Sequence, residues 1–438
     1  MTTFWCENAW VPSGGVAAGV VVEADEGGRI TAVSRSATPP SGAQVLAGMV
    51  FPGFANVHSH AFHRALRGRT HADGGTFWTW RRGMYELASK LDPDNYLRLA
   101  TAVYAEMAVA GVTVVGEFHY VHHPAGGGRY AEPNAMGEAL LEAALAAGMR
   151  MTLLDTCYLT GGIDTPLSLE QQRFSDGSVE AWAQRAQPRY DRRFARVGGA
   201  IHSVRAVPRG AIAAIASIVD GRPLHVHVSE QPAENEACQT AYGMTPVALL
   251  AESGALGPST TAVHATHLST RDITALGSSG TAVCFCPTTE ADLADGIGPA
   301  RELADAGAPL SLGSDQHAVV DPLAEARALE HGERLRTGLR GRFAPGELVT
   351  ALTSAGNAAL GWPDAGTIAP GAPADLVAVR LDSVRTAGSR PDQVLYAATA
   401  ADVRTVVSNG VVIARDGHHT RLGDVGGLLT EAIEELWA

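Results

Sequence analysis

His58 and His60 stand two apart in Val57-His58-Ser59-His60. Residues two apart in a strand point to the same side, so both imidazoles face one way. Nitrogen donors aimed together suit a borderline-soft metal such as zinc. The pair alone is a weak signal, because a core histidine bonded to backbone is the commoner fate of a His-x-His taken by itself. Similar residues recur, however, at the ends of other apolar runs: Glu117 and His119, His202 and Arg205, His227 and Glu230, His264 and His267, Asp315 and His317. Any one of them fits a satisfied buried polar group. So many titratable side chains, each closing an apolar stretch, point to metal-dependent catalysis.

The elements that must position these residues follow from periodicity. Val50-Phe51-Pro52-Gly53-Phe54 is short and continuously apolar, and it predicts a buried strand leading to the first histidines. Seven comparable runs follow at 112–118, 149–154, 197–202, 224–228, 261–264, 282–286 and 310–315. Helical segments rich in Ala and Leu lie between most of them, for example 96–110, 135–147, 209–219 and 299–306, often stopped by glycine. Eight βα units predict an α/β fold, a (β/α)8 TIM-like barrel with its active site at the carboxyl ends of the strands. The polar residues fall at those ends. The chain termini carry short strand patterns with turns at Glu26-Gly27-Gly28 and Asn409-Gly410, too few at either end for an independent core. Together they predict a small β-sandwich built from the N- and C-terminal segments, residues 1–48 and 365–438, beside a barrel of residues 49–364.

Composition narrows the partners. Against 46 acidic residues stand 33 basic ones, a formal net charge of −13 that argues against a nucleic-acid or anionic-membrane surface and leaves a small molecule. Hydrophobic residues at 46% with 18% charged describe a well-packed globule. Lys90 is the only lysine, so nearly every cation is an arginine, the residue suited to gripping carboxylates in bidentate fashion. Cys6, Cys157, Cys238, Cys284 and Cys286 include no Cys-x-x-Cys pair and read as reduced thiols of a cytoplasmic protein. The start of the chain has no basic segment followed by an apolar one, and no 18 apolar residues run together, so neither export nor a membrane span is expected. Gly126-Gly127-Gly128 lacks the lysine or GxGxxG context of a phosphate-binding loop.

The string from Phe51 to His60, together with His227-Val228-Ser229-Glu230, His264 and Ser314-Asp315, resembles the amidohydrolase superfamily in its single-zinc deaminase branch, over nearly the whole chain. Four further strings resemble, within that branch, the formimidoylglutamate deiminase family of histidine degradation. They are Phe77-Trp78-Thr79-Trp80-Arg81, the run from Glu117 to His123, His202-Ser203-Val204-Arg205 and the run from Thr288 to Leu293. The resemblance implies hydrolysis of N-formimino-L-glutamate to N-formyl-L-glutamate and ammonia, in a homodimer with one Zn2+ per chain. His58, His60, His227 and Asp315 would then hold zinc, with a position left for a water whose pKa falls toward about 7. Asp315 would take a proton from that water, Glu230 would protonate the departing nitrogen, and His264 would stabilise charge at the attacked carbon. His225, His267 and His317 read as supporting or structural.

Arg81 and Arg205 suit the two carboxylates of such a substrate, and Tyr120 and His202 are further donors. The chain departs from the family at His63, where glutamine often stands next to the substrate. Trp78, Trp80 and Tyr85 read as the packing of a loop over the pocket. Binuclear relatives bridge their two ions with a carboxylated lysine at a strand end, and Lys90 lies in a helical pattern instead. Two rivals stay open: another deaminase of the branch acting on a guanine, adenosine-type or triazine compound, and a zinc-stabilised binding protein that has lost catalysis. A neutral heterocycle would not need two arginines, and the presence of Glu230 and His264 speaks against a binding protein.

Overall fold

The computed structural model describes residues 1–12, 15–71, 77–187 and 190–438; the side chains of Phe77 and Trp78, from the first aromatic string, lie outside the described residues. Eight parallel strands pair in chain order: Phe54–Ser59, Val112–His119, Arg150–Cys157, Ala195–Ser203, Leu224–Val228, Thr260–His264, Ala282–Phe285 and Leu310–Leu312. Strands one, two, three, five, six and seven are buried along their whole length, as expected where helices cover the outside of a parallel sheet. The sheet closes between strands one and eight at the rim: Ser314 and Asp315 donate from backbone N–H to the His58 carbonyl at 3.0 and 2.9 Å, and His60 N–H donates to the Asp315 carbonyl at 3.1 Å. Gly313 permits that approach, since a Cβ there would lie 2.8 Å from the Cβ and the carbonyl oxygen of His58. The predicted (β/α)8 barrel is therefore the fold, with its seam at the first histidine.

The two ends of the chain meet in a second sheet, in the order His418–His419, Val411–Arg415, Val403–Ser408, Leu376–Val379, Gln44–Pro52, Thr2–Val11, Gly15–Ala24, Ile30–Arg35. Gln44–Pro52 is the joint: it runs parallel to Thr2–Val11 and antiparallel to Leu376–Val379. The run Val50–Phe54, expected as one strand into the barrel, divides at Gly53. Met49 to Pro52 pair with the C-terminal strand, and the barrel strand starts at Phe54. Arg150, at the start of barrel strand three, is buried and pairs with Asp375, also buried, while donating to Asn409 Oδ1 at 3.0 Å. That ion pair ties the terminal sheet to the bottom of the barrel, away from the rim.

The segment expected as part of the β-sandwich ends instead in a helix, Val425–Trp437. It packs along the helix Pro93–Val109, with Arg98 and Glu435 paired across them. Its Trp437 indole donates to the Ala65 carbonyl at 3.0 Å, which braces the turn Ala61–Leu66 that follows His60. Among the described residues no helix is long and apolar enough to cross a membrane.

Candidate active site

Strand one delivers His58 and His60, and the ends of strands five and eight bring His227 and Asp315 to opposite sides of His58 Nε2. His60 Nδ1–H donates to the Phe118 carbonyl and His227 Nδ1–H to the His202 carbonyl, each at 2.9 Å. Those bonds fix both tautomers and leave each Nε2 lone pair facing inward. His227 Nε2 lies 3.0 Å from His58 Nε2, and Asp315 Oδ1 lies 3.5 and 3.4 Å from Nε2 of His58 and His60. Donors about 2.0–2.1 Å from a shared zinc ion come to roughly 3.3 Å from one another, so these three spacings suit a shared ion; the donor atoms within 4.8 Å of one another form two sets that meet at His58, one with His60 and Asp315 and one with His227 and His264. Burial, then the neighbouring imidazoles, holds His58 and His227 well below the ordinary histidine range, and His60 is pushed down to about 3. Neutral imidazole is the ligating form.

Beside the set lies His264, whose Nε2 is 3.6 Å from Asp315 Oδ2 and 3.9 Å from Glu230 Oε1. Burial alone would lower its pKa; Glu230, the 3.4 Å contact of its Nδ1 with Glu290 and Asp315 outweigh burial and raise it well above the ordinary value. His264 (φ 69°) and Asp315 (φ 41°) both adopt left-handed backbone, which costs a non-glycine residue about 1–3 kcal/mol and is typical of functional positions. Asp295 stands close behind: burial, then Glu230, pushes its carboxyl up to about 8.

A cavity of about 370 Å³ opens from these residues. Along its wall are His63, whose Nε2 is 2.9 Å from the Tyr120 hydroxyl, and His202, whose Nδ1 is 3.2 Å from Ser203 Oγ. Arg205 lies 3.4 Å from both Glu230 Oε2 and Glu234 Oε2. Arg81 also lines the cavity, donating from Nε to the Tyr85 hydroxyl at 2.7 Å and stacking on that ring at 5.2 Å. Every residue named from the sequence as ligand, acid–base group or substrate contact except His58 lines this one cavity, and His58 sits directly beneath it.

Other strand-end residues go elsewhere. His119 turns away to His122 at 3.3 Å, beside a buried cluster in which Arg185 binds Asp155 and Asp176. Glu117 accepts from Ser59 Oγ and Ala61 N–H, each at 2.7 Å, so it holds the backbone around His60. His225, His267 and His317 contact the Ala359 carbonyl, the Asp295 carbonyl and Ser59 Oγ, in line with supporting roles. Sequence reasoning missed Glu234 and Tyr158. Glu234 sits in the first turn of the helix Pro232–Tyr242 and is buried against Arg205; its only sequence signal is its place four residues after Glu230. Tyr85, read as packing, presents its hydroxyl to Arg81 within the cavity wall.

A parallel barrel with a histidine–aspartate cluster that could hold a metal ion, and acid–base groups beside it at the carboxyl rim, is the arrangement of a hydrolase. The amidohydrolase family model matches residues 49–413, and the chain belongs to that family, as a hydrolase acting on C–N bonds. It is 36% identical to the formimidoylglutamate deiminase of Pseudomonas aeruginosa, with 96% of each chain covered. It is also 32% identical to the 8-oxoguanine deaminase of the same organism, over 81% of this chain and 79% of that one. The crystal structure of an amidohydrolase from Brucella melitensis superposes with a TM-score of 0.92 at 30% identity, covering all of both chains.

Proposed function

We propose that this protein hydrolyses N-formimino-L-glutamate to N-formyl-L-glutamate and ammonia, in histidine degradation, with one Zn2+ per chain held by His58, His60, His227 and Asp315. The observation that carries the substrate is the pair of arginines, Arg81 and Arg205, set in the same cavity as the ligand cluster. Two guanidiniums suit the two carboxylates of a glutamate, and a purine or triazine has none to offer them. Zinc bound there would act as a Lewis acid and make the hydrolytic water acidic near neutral pH.

The chain's own groups divide the remaining work. Asp315 Oδ2 points away from the ligand cluster toward His264, where it can accept a proton from the attacking water. The protonated His264, tethered through Nδ1 to Glu290, presents Nε2–H to the oxygen that adds to the formimino carbon. Glu230, steadied by Arg205, relays protons from the attacking water to the terminal nitrogen; with the one Asp315 takes, water supplies both hydrogens the nitrogen gains, so that its C–N bond breaks, ammonia leaves and the carbonyl of the formyl group forms. His63, Tyr120 and His202 line the path between the reacting carbon and the arginines. The homodimer that the resemblance implies belongs to the same proposal.

The test is ammonia release from N-formimino-L-glutamate set against 8-oxoguanine and other neutral heterocycles. Turnover of the dicarboxylate alone is the expected result. Turnover of a heterocycle without the dicarboxylate would replace this substrate assignment with a purine-type one.

A further inference from the structure

Beyond the arginines and Tyr120, the cavity wall holds two further phenols, Tyr85 and Tyr158. Gln171 stands behind them, 4% exposed, in the turn Glu170–Phe174. Its amide fits only one way round. Ser168 N–H donates to Oε1 at 2.9 Å, and Nε2 faces the Gly161 carbonyl at 3.4 Å. A flipped amide would set donor against donor and acceptor against acceptor. With the orientation fixed, Nε2 donates to the Tyr158 hydroxyl at 2.8 Å and to the Tyr85 hydroxyl at 3.1 Å. Arg81 Nε–H donates to the same Tyr85 oxygen at 2.7 Å. Neither an amide nitrogen nor a guanidinium can accept a proton, so both phenol hydrogens are forced to point elsewhere. Among the described residues neither phenol donates to a protein acceptor. Burial pushes the Tyr158 phenol up to about 12, with Arg81 and Arg205 acting the other way, so at neutral pH it keeps the proton it has to give.

We infer that Tyr85 and Tyr158 are carboxylate-binding donors of the substrate site, and that Gln171 is the positioning residue whose amide turns both phenol protons toward the cavity. A carboxylate has about four lone-pair directions, and a guanidinium fills only two of them. The phenols supply donors for the rest at little entropic cost, since their rings are already held. The inference rests on the proposed dicarboxylate substrate and adds the residues that select it.

The experiment uses the zinc-loaded enzyme and four variants: Tyr85→Phe, Tyr158→Phe, Gln171→Glu and the double variant Tyr158→Phe with Gln171→Glu. Ammonia release is followed with N-formimino-L-glutamate and with two analogues, N-formimino-4-aminobutyrate and N-formimino-2-aminobutyrate, each lacking one carboxylate. Each Tyr→Phe change should raise KM by roughly tenfold or more, as for a lost hydrogen bond to a charged group, with kcat nearly unchanged. The penalty should vanish with the analogue that lacks the contacted carboxylate. Gln171→Glu keeps the size but puts an acceptor where Nε2 was, which draws the phenol protons away from the cavity, so it should raise KM like the tyrosine variants and add little to Tyr158→Phe. A merely structural role predicts instead a lower melting temperature and equal losses on all three compounds. KM unchanged in both tyrosine variants, or equal penalties on both analogues, overturns the inference. Calorimetric binding of glutarate separates it from the functional reading. If the parent releases no ammonia, the substrate proposal fails alone. In that case glutarate affinity lowered by Tyr158→Phe upholds the subsite, and unchanged affinity or no glutarate binding at all overturns it.

Discussion

Replacing Arg205 by methionine probes the substrate assignment where the structure sets a magnitude. The guanidinium lies 3.4 Å from Glu230 and 3.4 Å from Glu234, whose side chain is 1% exposed, and it faces the cavity where a substrate carboxylate would be its third partner. Removing one member of a buried charge pair costs about 3–5 kcal/mol. Arg205 keeps 23% of its side chain exposed, so water screens part of the interaction and the lower end applies, about 3 kcal/mol, near a hundredfold in kcat/KM. Most of it should fall on KM, because a carboxylate remote from the reacting carbon is held equally in ground and transition states. The variant also strips Glu234 of its cation. Burial already raises that carboxyl, so it should take up a proton, and adding Glu234→Gln should restore thermal stability without restoring KM. Steady-state ammonia release gives the kinetics and thermal melts give the stability. A kcat/KM within about threefold of the parent, or an equal loss on both analogues that lack one carboxylate, would refute the carboxylate role.

Glu230→Gln should bind zinc as the parent does yet lose roughly a hundredfold or more in kcat, since an amide cannot carry the proton to the leaving nitrogen; activity within a few-fold of the parent removes Glu230 from that role. Burial holds His119 and His225 down to about 4 from the ordinary 6.5. The unfolded chain therefore binds protons below about 6.5 that the folded chain refuses until about 4, and stability should fall as pH drops through that window. His225→Asn should flatten this acid limb in melts across the window, and a limb as steep as the parent's would contradict the assignment. Gly313→Ala forces a Cβ to 2.8 Å from the carbonyl oxygen of His58, so it should lower zinc affinity as well as stability, measured by chelator competition and melting.

Much of this arrangement is legible in the sequence because barrel physics makes it so. A strand buried on both faces has to be a short apolar run, and the residue that ends it has to reach the rim, so His58, His227, His264 and Asp315 announce themselves by position. The break at Gly53 is less visible, since Val50–Phe54 is apolar whichever sheet receives it; only the pairing with Leu376–Val379 decides. The C-terminal helix left a trace in the spacing of Leu429, Ala432 and Leu436, all buried in the fold. Tyr158 and Gln171 left none, and Glu234 only its place four residues after Glu230, because they reach the cavity from segments after the strands, where periodicity does not mark a residue. Their roles come from hydrogen-bond polarity and burial, which only three-dimensional neighbours define.

The central claim, hydrolysis of a dicarboxylate amidine by one ion in one cluster, is tested most directly by stripping the protein of metal and following ammonia release from N-formimino-L-glutamate as zinc is returned. Activity should rise in proportion to zinc and level off at one ion per chain, because the 3.0 Å from His58 to His227 and the 3.5 and 3.4 Å from His58 and His60 to Asp315 are spacings that suit one shared ion. Activity that keeps rising to a second tightly held ion, or no ammonia at full occupancy, would contradict it.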